Sequence, residues 1–210
     1  AVFKHPLGGL TEAQVAERAE SMYPGLREAI ARTPPPPAKP PTAIAQRVTA
    51  PADPAELQAW YAERRWSEGF PILAPTPEAV AKMVAGAGRP ASDFVGVVPP
   101  RGGVATVEQI AVNAVMAGCR PQHMPVIITA LEAMLEPQFN LAALQATTHP
   151  VSPLVVVHGP IAKELGINSG AGAFGPSAMA NAVIGRAIRL ILWNIGGALP
   201  GDVDRSTQGA

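Results

Sequence analysis

The chain of 210 residues has one cysteine, Cys119. A single thiol excludes an internal disulfide framework and fits a reducing compartment. Charge is scarce too: 15% of residues are Asp, Glu, Lys or Arg, and 16 bases cancel 16 acids. That balance excludes the basic footprint that nucleic-acid binding needs. No apolar run reaches the length of a membrane span, and no signal-peptide pattern opens the chain. The run at 187–195 is apolar, but it carries Arg189 and Asn194 and stops at glycines. A cytoplasmic protein with neither nucleic-acid nor membrane partners is therefore expected. With 48% hydrophobic residues and so little charge, much of the surface is expected to be covered by other subunits, in a homo- or hetero-oligomer.

What is present begins with the stretch 117–125, Ala-Gly-Cys-Arg-Pro-Gln-His-Met-Pro, set between two apolar helical patterns. Upstream, Thr106 and Gln109 form a capping-box signature, and Val107, Ile110, Ala111, Ala114 and Val115 share one helix face. Gly118 suits the end of that helix. Downstream, Ile127, Ala130, Leu131, Met134 and Leu135 repeat the pattern, with Pro121 or Pro125 in the first turn. Cys119 then lies near a helix N-terminus beside Arg120, and both features favour a thiolate.

Three readings of this thiol stay open. As a nucleophile or redox centre it needs a base, and His123, His149 and His158 are the candidates. Arg120 would be the electrostatic aid. As a metal ligand it would join His123, His149 and His158 in a sulfur and nitrogen set suited to zinc or iron. As a small buried hydrophobe it would do no chemistry. His5, before Pro6, is a loop histidine on the plainest reading. Asp202 and Asp204 in the polar tail are expected to be solvated.

The densest glycine region, at 168–177, leads into a long helix whose expected buried stripe is Met179, Val183, Ala187, Leu190 and Ile191. Pro176 would open that helix. Gly170 to Gly175 match G-x-G-x-x-G, but the strand expected before them ends well upstream and no acid follows at the ribose-binding distance. The pattern is therefore weak for a dinucleotide. Its physical core remains, since glycines before a helix expose N–H groups that hold anions. Asn168, Ser169, Gly170, Gly172 and Gly175 are the candidate anion or phosphate loop. The turn around Arg101 is either a second anion site or a plain surface turn. Trp60, Tyr61 and Trp66 suit either a ligand platform or simple side-chain packing.

For the fold, helices are expected from Asp53-Pro54 and from Thr76-Pro77, with strands or extended segments at 70–73, 94–98 and 154–157. The last is expected to be a buried strand ending at His158, where α/β proteins place ligands. The expected class is α/β, with short parallel strands covered by several helices and an N-terminal helical appendage. Residues 1–33 would be that appendage, 34–52 a proline-rich linker and 53–210 the main α/β domain. The chain starts at Ala1, not methionine, in what reads as the end of a strand. It is expected to be part of a longer chain.

His5-Pro6-Leu7-Gly8-Gly9-Leu10, followed by a helix, resembles the end of the UGSC family of (seleno)proteins. Those proteins carry selenocysteine or cysteine, then Gly-Ser-Cys, in a domain whose last strand and helix begin with such a turn. Residues 64–210 resemble a bacterial family often found with it. The strings that carry this are Gly69-Phe70-Pro71-Ile72, Val98-Pro99-Pro100-Arg101-Gly102-Gly103 and Asn113-Ala114-Val115-Met116-Ala117-Gly118-Cys119-Arg120-Pro121. Gly159-Pro160, Gly185-Arg186-Ala187 and Asn194-Ile195-Gly196-Gly197 complete them. The resemblance implies a UGSC-type domain upstream or in trans, bringing an external thiol or selenol near Cys119. It favours redox or sulfur-transfer chemistry. The expected function is a thiol-dependent enzyme acting on a small anionic or carbonyl-containing molecule. The alternatives are a zinc or iron enzyme and a non-catalytic, oligomer-forming subunit.

Overall fold

The computed structural model describes residues 9–31, 47–175 and 177–208. His5, most of the 34–52 linker and Pro176 lie outside them. The chain divides into two compact units, Ala1–Pro41 and Thr42–Ala210. In the first, α1 (Glu12–Ala31) starts at a capping box, where the Thr11 N–H donates to Gln14 Oε1 at 2.9 Å. Pro24 lies inside this helix, and Val15 and Tyr23 on its apolar stripe are exposed.

The second unit is mixed and mostly helical. In α2 (Pro54–Glu63) the Asp53 carboxylate accepts from the N–H groups of Ala55 and Glu56, both at 2.9 Å. This satisfies two of the donors a helix start leaves over, and Pro54 at the first position has none to lose. Thr76 caps α3 (Pro77–Ala87) in the same way. Then β1 (Phe94–Val98) turns back into β2 (Gly103–Thr106), and Thr106 caps α4 (Val107–Met116) with the expected capping box. A single 3-10 turn, Pro121–His123, leads into α5 (Met124–Leu135). Two short helices, α6 (Leu141–Ala146) and α7 (Pro160–Glu164), precede the long α8 (Met179–Asn194).

The core lies where α4, α5 and α8 meet. Ile110, Ile127, Leu131, Leu190 and Ile191 are fully buried there. Each such side chain contributes roughly 1.5–3 kcal/mol of burial free energy. The buried face of α8 is Ala180, Ile184, Ala187, Ile188 and Ile191, one residue out of phase with the expected stripe at its N-terminal end. Met179 is exposed and Val183 half-buried. The polar flank of α8 does structural work. Arg186 pairs with Glu68 and donates to the Pro71 and Phe70 carbonyls, and Trp193 Nε1 donates to the Arg65 carbonyl at 2.6 Å.

The two strands pair antiparallel, Val98 opposite Gly103, where parallel strands were expected. They form a hairpin, and only four residues separate them, too few for a parallel crossover. Residues 70–73 are not a strand. The Gln58 carboxamide takes the place of a neighbouring strand, accepting from the Ile72 N–H at 2.9 Å and donating to the Ile72 carbonyl at 3.2 Å. Residues 154–157 are neither paired among the described residues nor buried as a strand. No described helix is long and apolar enough to cross a membrane.

The tail is anchored: Asp202 stays exposed, as expected, whereas Asp204 is buried. Arg101 pairs with Asp202, and Arg189 Nη2 lies 2.8 Å from the Asp204 carboxylate, which is buried. Asp204 also accepts from the Ser206 N–H at 3.0 Å. The Arg101 turn is thus occupied by the chain's own carboxylate. Its close seat against α8 depends on Gly103, where a Cβ would overlap the Ile195 carbonyl oxygen.

Candidate functional site

Cys119 sits in the turn that closes α4. Gly118 has φ +85°, its N–H donates to the Val115 carbonyl, and the Cys119 N–H donates to the Ala114 carbonyl, both at 2.9 Å. These are the two bonds of a Schellman motif, in which the residue after the glycine packs an apolar side chain on the last helical turn. The cysteine fills that role. It is buried, and its thiol donates to the Val183 carbonyl of α8 at 3.2 Å.

This position opposes a thiolate. Burial pushes the Cys119 pKa up to about 12, only partly offset by the charge of Arg186. The nearest helix end is the C-terminus of α4, whose dipole is negative there. The cation that acts on the sulfur is Arg186 from α8, already paired with Glu68, and not the neighbouring Arg120, which is exposed.

His123 is buried, and its Nδ1 accepts from the Arg120 N–H at 3.1 Å. That bond requires the neutral ring with its proton on Nε2. Burial first, then the Arg120 charge, lowers its pKa. His123 therefore braces the turn. His149 and His158 are exposed in loops. Among the described residues no group of three or more His, Cys, Asp or Glu is placed to hold a metal. The zinc or iron set of Cys119, His123, His149 and His158 is not assembled, because two members face inward and are already bonded while two face outward.

The glycine loop is likewise bonded to itself. Asn168 Nδ2 donates to the Ala171 carbonyl and to Ser177 Oγ, its Oδ1 accepts from the Gly170 N–H at 2.9 Å, and Ser177 Oγ donates to the Gly172 carbonyl. Asn181 Oδ1 accepts from the Asn168 N–H, and Asn181 Nδ2 donates to the carbonyls of Asn168 and Ala173. The N–H groups of Ala173 and Gly175 donate to Gly170 and Gly172 carbonyls. Ser169 is exposed beside them. Of the candidate residues, Asn168, Gly170 and Gly175 thus have their N–H groups turned onto the loop's own acceptors.

A concavity of the unit lies elsewhere. A cleft of about 1100 Å³ runs between α2, α3 and α4, bordered by the segment 47–52. Apolar side chains make most of its wall, among them Leu57, Val80, Val84 and Met116, with Tyr61 and Trp66 at one side. Tyr61 and Trp66 meet edge to face at 6.1 Å, and Trp60 stands 5.1 Å from Tyr61. The Tyr61 hydroxyl has no hydrogen-bond partner among the described residues, and burial raises its pKa. At the cleft's polar side Asn194 Nδ2 donates to Asn113 Oδ1 at 2.8 Å and to the Trp66 carbonyl at 3.1 Å. Asn113 Nδ2 donates to the Gln109 carbonyl, which fixes its amide orientation. Glu108 and Arg47 add charge to the lining.

Sequence reasoning marked Tyr61 and Trp66 but missed Asn113 and Asn194. One signal was available: Asn113 interrupts the apolar run from Ile110 to Met116, and a buried amide there needs a partner. Compared with family models, with curated proteins and with solved structures, the chain matches none.

Proposed function

We propose that the second unit binds a small, mostly apolar molecule carrying one carbonyl or hydroxyl group, in the cleft beside Tyr61 and Trp66. The carrying observation is the cleft itself: a mostly apolar space of about 1100 Å³ with a phenol that has no hydrogen-bond partner among the described residues and a braced amide pair on its wall. Pockets of this size with few oriented polar groups are the usual form of a small-molecule site. Aromatic faces supply contact area, and Tyr61 and Asn194 supply direction. This reading moves function away from Cys119. Any redox thiol or selenol would then belong to the UGSC-type domain that the first 33 residues resemble, upstream or in trans.

The test is a thermal-shift and calorimetric screen of the full chain against small aromatic and alicyclic ketones, alcohols and carboxylic acids. A binder should raise the melting temperature of the wild type. Tyr61→Phe should weaken it about tenfold, the worth of one hydrogen bond in a closed site. Trp66→Ala should weaken it further, whereas Cys119→Ala should leave it unchanged. Binding that survives Tyr61→Phe and Trp66→Ala but disappears in Cys119→Ala would overturn the proposal and return the site to the thiol.

A further inference from the structure

Glu108 puts a carboxylate on the mostly apolar wall of the cleft between α2, α3 and α4, and its residue is half-buried there. Its backbone is fixed. The Glu108 N–H donates to the Ala91 carbonyl at 2.9 Å, and the capping box of Thr106 and Gln109 holds the turn it belongs to. An acid in the first turn of a helix suits the dipole and, on an open surface, needs only water besides. One drawn into an apolar cleft loses part of its hydration and asks for a counter-charge. The fold meets that demand elsewhere. Among the described residues every other acid that is buried or half-buried pairs with an arginine: Glu68 with Arg186, Asp93 and Glu132 with Arg89, and Asp204 with Arg189. Glu108 is the exception, with no side-chain hydrogen bond or ion pair among the described residues. The base on the same wall, Arg47, is exposed and is shared with another acid. The Glu78 carboxyl is held low by its own N–H, then by the Thr76 hydroxyl, and Arg47 adds to this.

Resting on the reading of this cleft as a small-molecule site, we infer that its ligand carries a protonated amine at the end opposite its carbonyl or hydroxyl group, and that Glu108 receives the amine. The helix supplies the ruler. Asn113, at the polar side with Asn194 and Tyr61, lies five residues beyond Glu108 on α4, about 7.5 Å of rise. Val112 and Met116 of the same helix also line the cleft, so an apolar stretch accompanies the two polar ends. A phenol with a chain of about four carbons ending in the amine covers this rise. The ammonium gives Glu108 a charge-assisted hydrogen bond in partly dry surroundings, where such bonds exceed neutral ones.

Calorimetry on the full chain at neutral pH tests this with three probes of one skeleton, a phenol bearing a butyl chain in the para position. They differ only in the terminal group: primary amine, hydroxyl or carboxylate. The amine should bind about tenfold more tightly than the alcohol, and the acid should bind worst. Added salt should shrink the amine's lead. Glu108→Gln should bring the ratio of amine to alcohol affinity to about one. Glu56→Gln, exposed on α2 and outside the cleft, removes the same charge and should keep the wild-type ratio. An alcohol that binds as tightly as the amine, an acid that binds best, or a lead that survives Glu108→Gln overturns the assignment to Glu108 while the cleft reading stands. Binding of none of the three overturns both.

Discussion

Two short runs of this chain look alike: Val95-Gly96-Val97-Val98 and Leu154-Val155-Val156-Val157. Both favour extended backbone, and proline stands close to each. The first has a neighbour four residues on, folds back onto Gly103–Thr106, and sends Val98 into the core with no exposure. The second meets no strand among the described residues, and Leu154 and Val156 stay open. Strand formation therefore depends on a partner at the right distance more than on the residues themselves, because the ladder of hydrogen bonds is shared by two segments.

The strongest way to break the comparison is to take the partner from the first run. Gly103→Val places a side chain on the Ile195 carbonyl and pushes β2 away from α8. Expected is a loss of about 3 kcal/mol or more, read as a large fall in melting temperature or the absence of a cooperative transition. A near-normal transition would mean that the hairpin does not depend on this contact.

A milder pair sharpens the contrast. Val98→Ala should cost about 2 kcal/mol in urea unfolding, since it leaves a cavity in the core. Val156→Ala should change stability by less than about 0.5 kcal/mol. Equal costs would show that the second run is buried in the single chain after all.

Acid gives the smallest effect, confined to the buried side. The His123 pKa lies below its ordinary 6.5 because burial, and then Arg120, disfavour the charged ring. Above 6.5 neither state holds the proton, and stability is at its full value. Below it the unfolded chain takes up a proton that the folded chain resists, so stability falls with pH. His123→Asn keeps an acceptor for the Arg120 N–H and removes the titration. Its stability should therefore decline less between pH 6.5 and 5 than that of the wild type. Identical declines would place the acid sensitivity elsewhere.

Much of the local structure was legible beforehand. Asp53-Pro54, Thr76-Pro77 and Thr106 with Gln109 each mark a helix start through bonds among residues two or three apart, and such bonds need nothing from the rest of the chain. Gly118 marked a helix end for the same reason. The candidate site was less legible. Placing Cys119 near a helix N-terminus overlooked that the preceding helix closes on it first, in a motif that calls for an apolar side chain at that place. The glycines before α8 were read as free donors, yet Asn168, Ser177 and Asn181 are spaced to take up the loop's own groups. Asp204 looked solvated because its partner, Arg189, lies on another element.

The amino-acid sequence alone determined where helices start and stop, that the two valine-rich runs favour extended backbone, and that a single thiol rules out a disulfide within these 210 residues. Those are decided by bonds and sterics between near neighbours. Tertiary structure alone decided that Cys119 donates to a carbonyl 64 residues away, that one valine-rich run sends Val98 into the core while the other leaves Leu154 and Val156 open, and that Tyr61, Asn113 and Asn194 share a cleft. Burial and long-range partners are properties of the assembled core, and no local pattern encodes which distant residue will fill the remaining valence of a buried polar group.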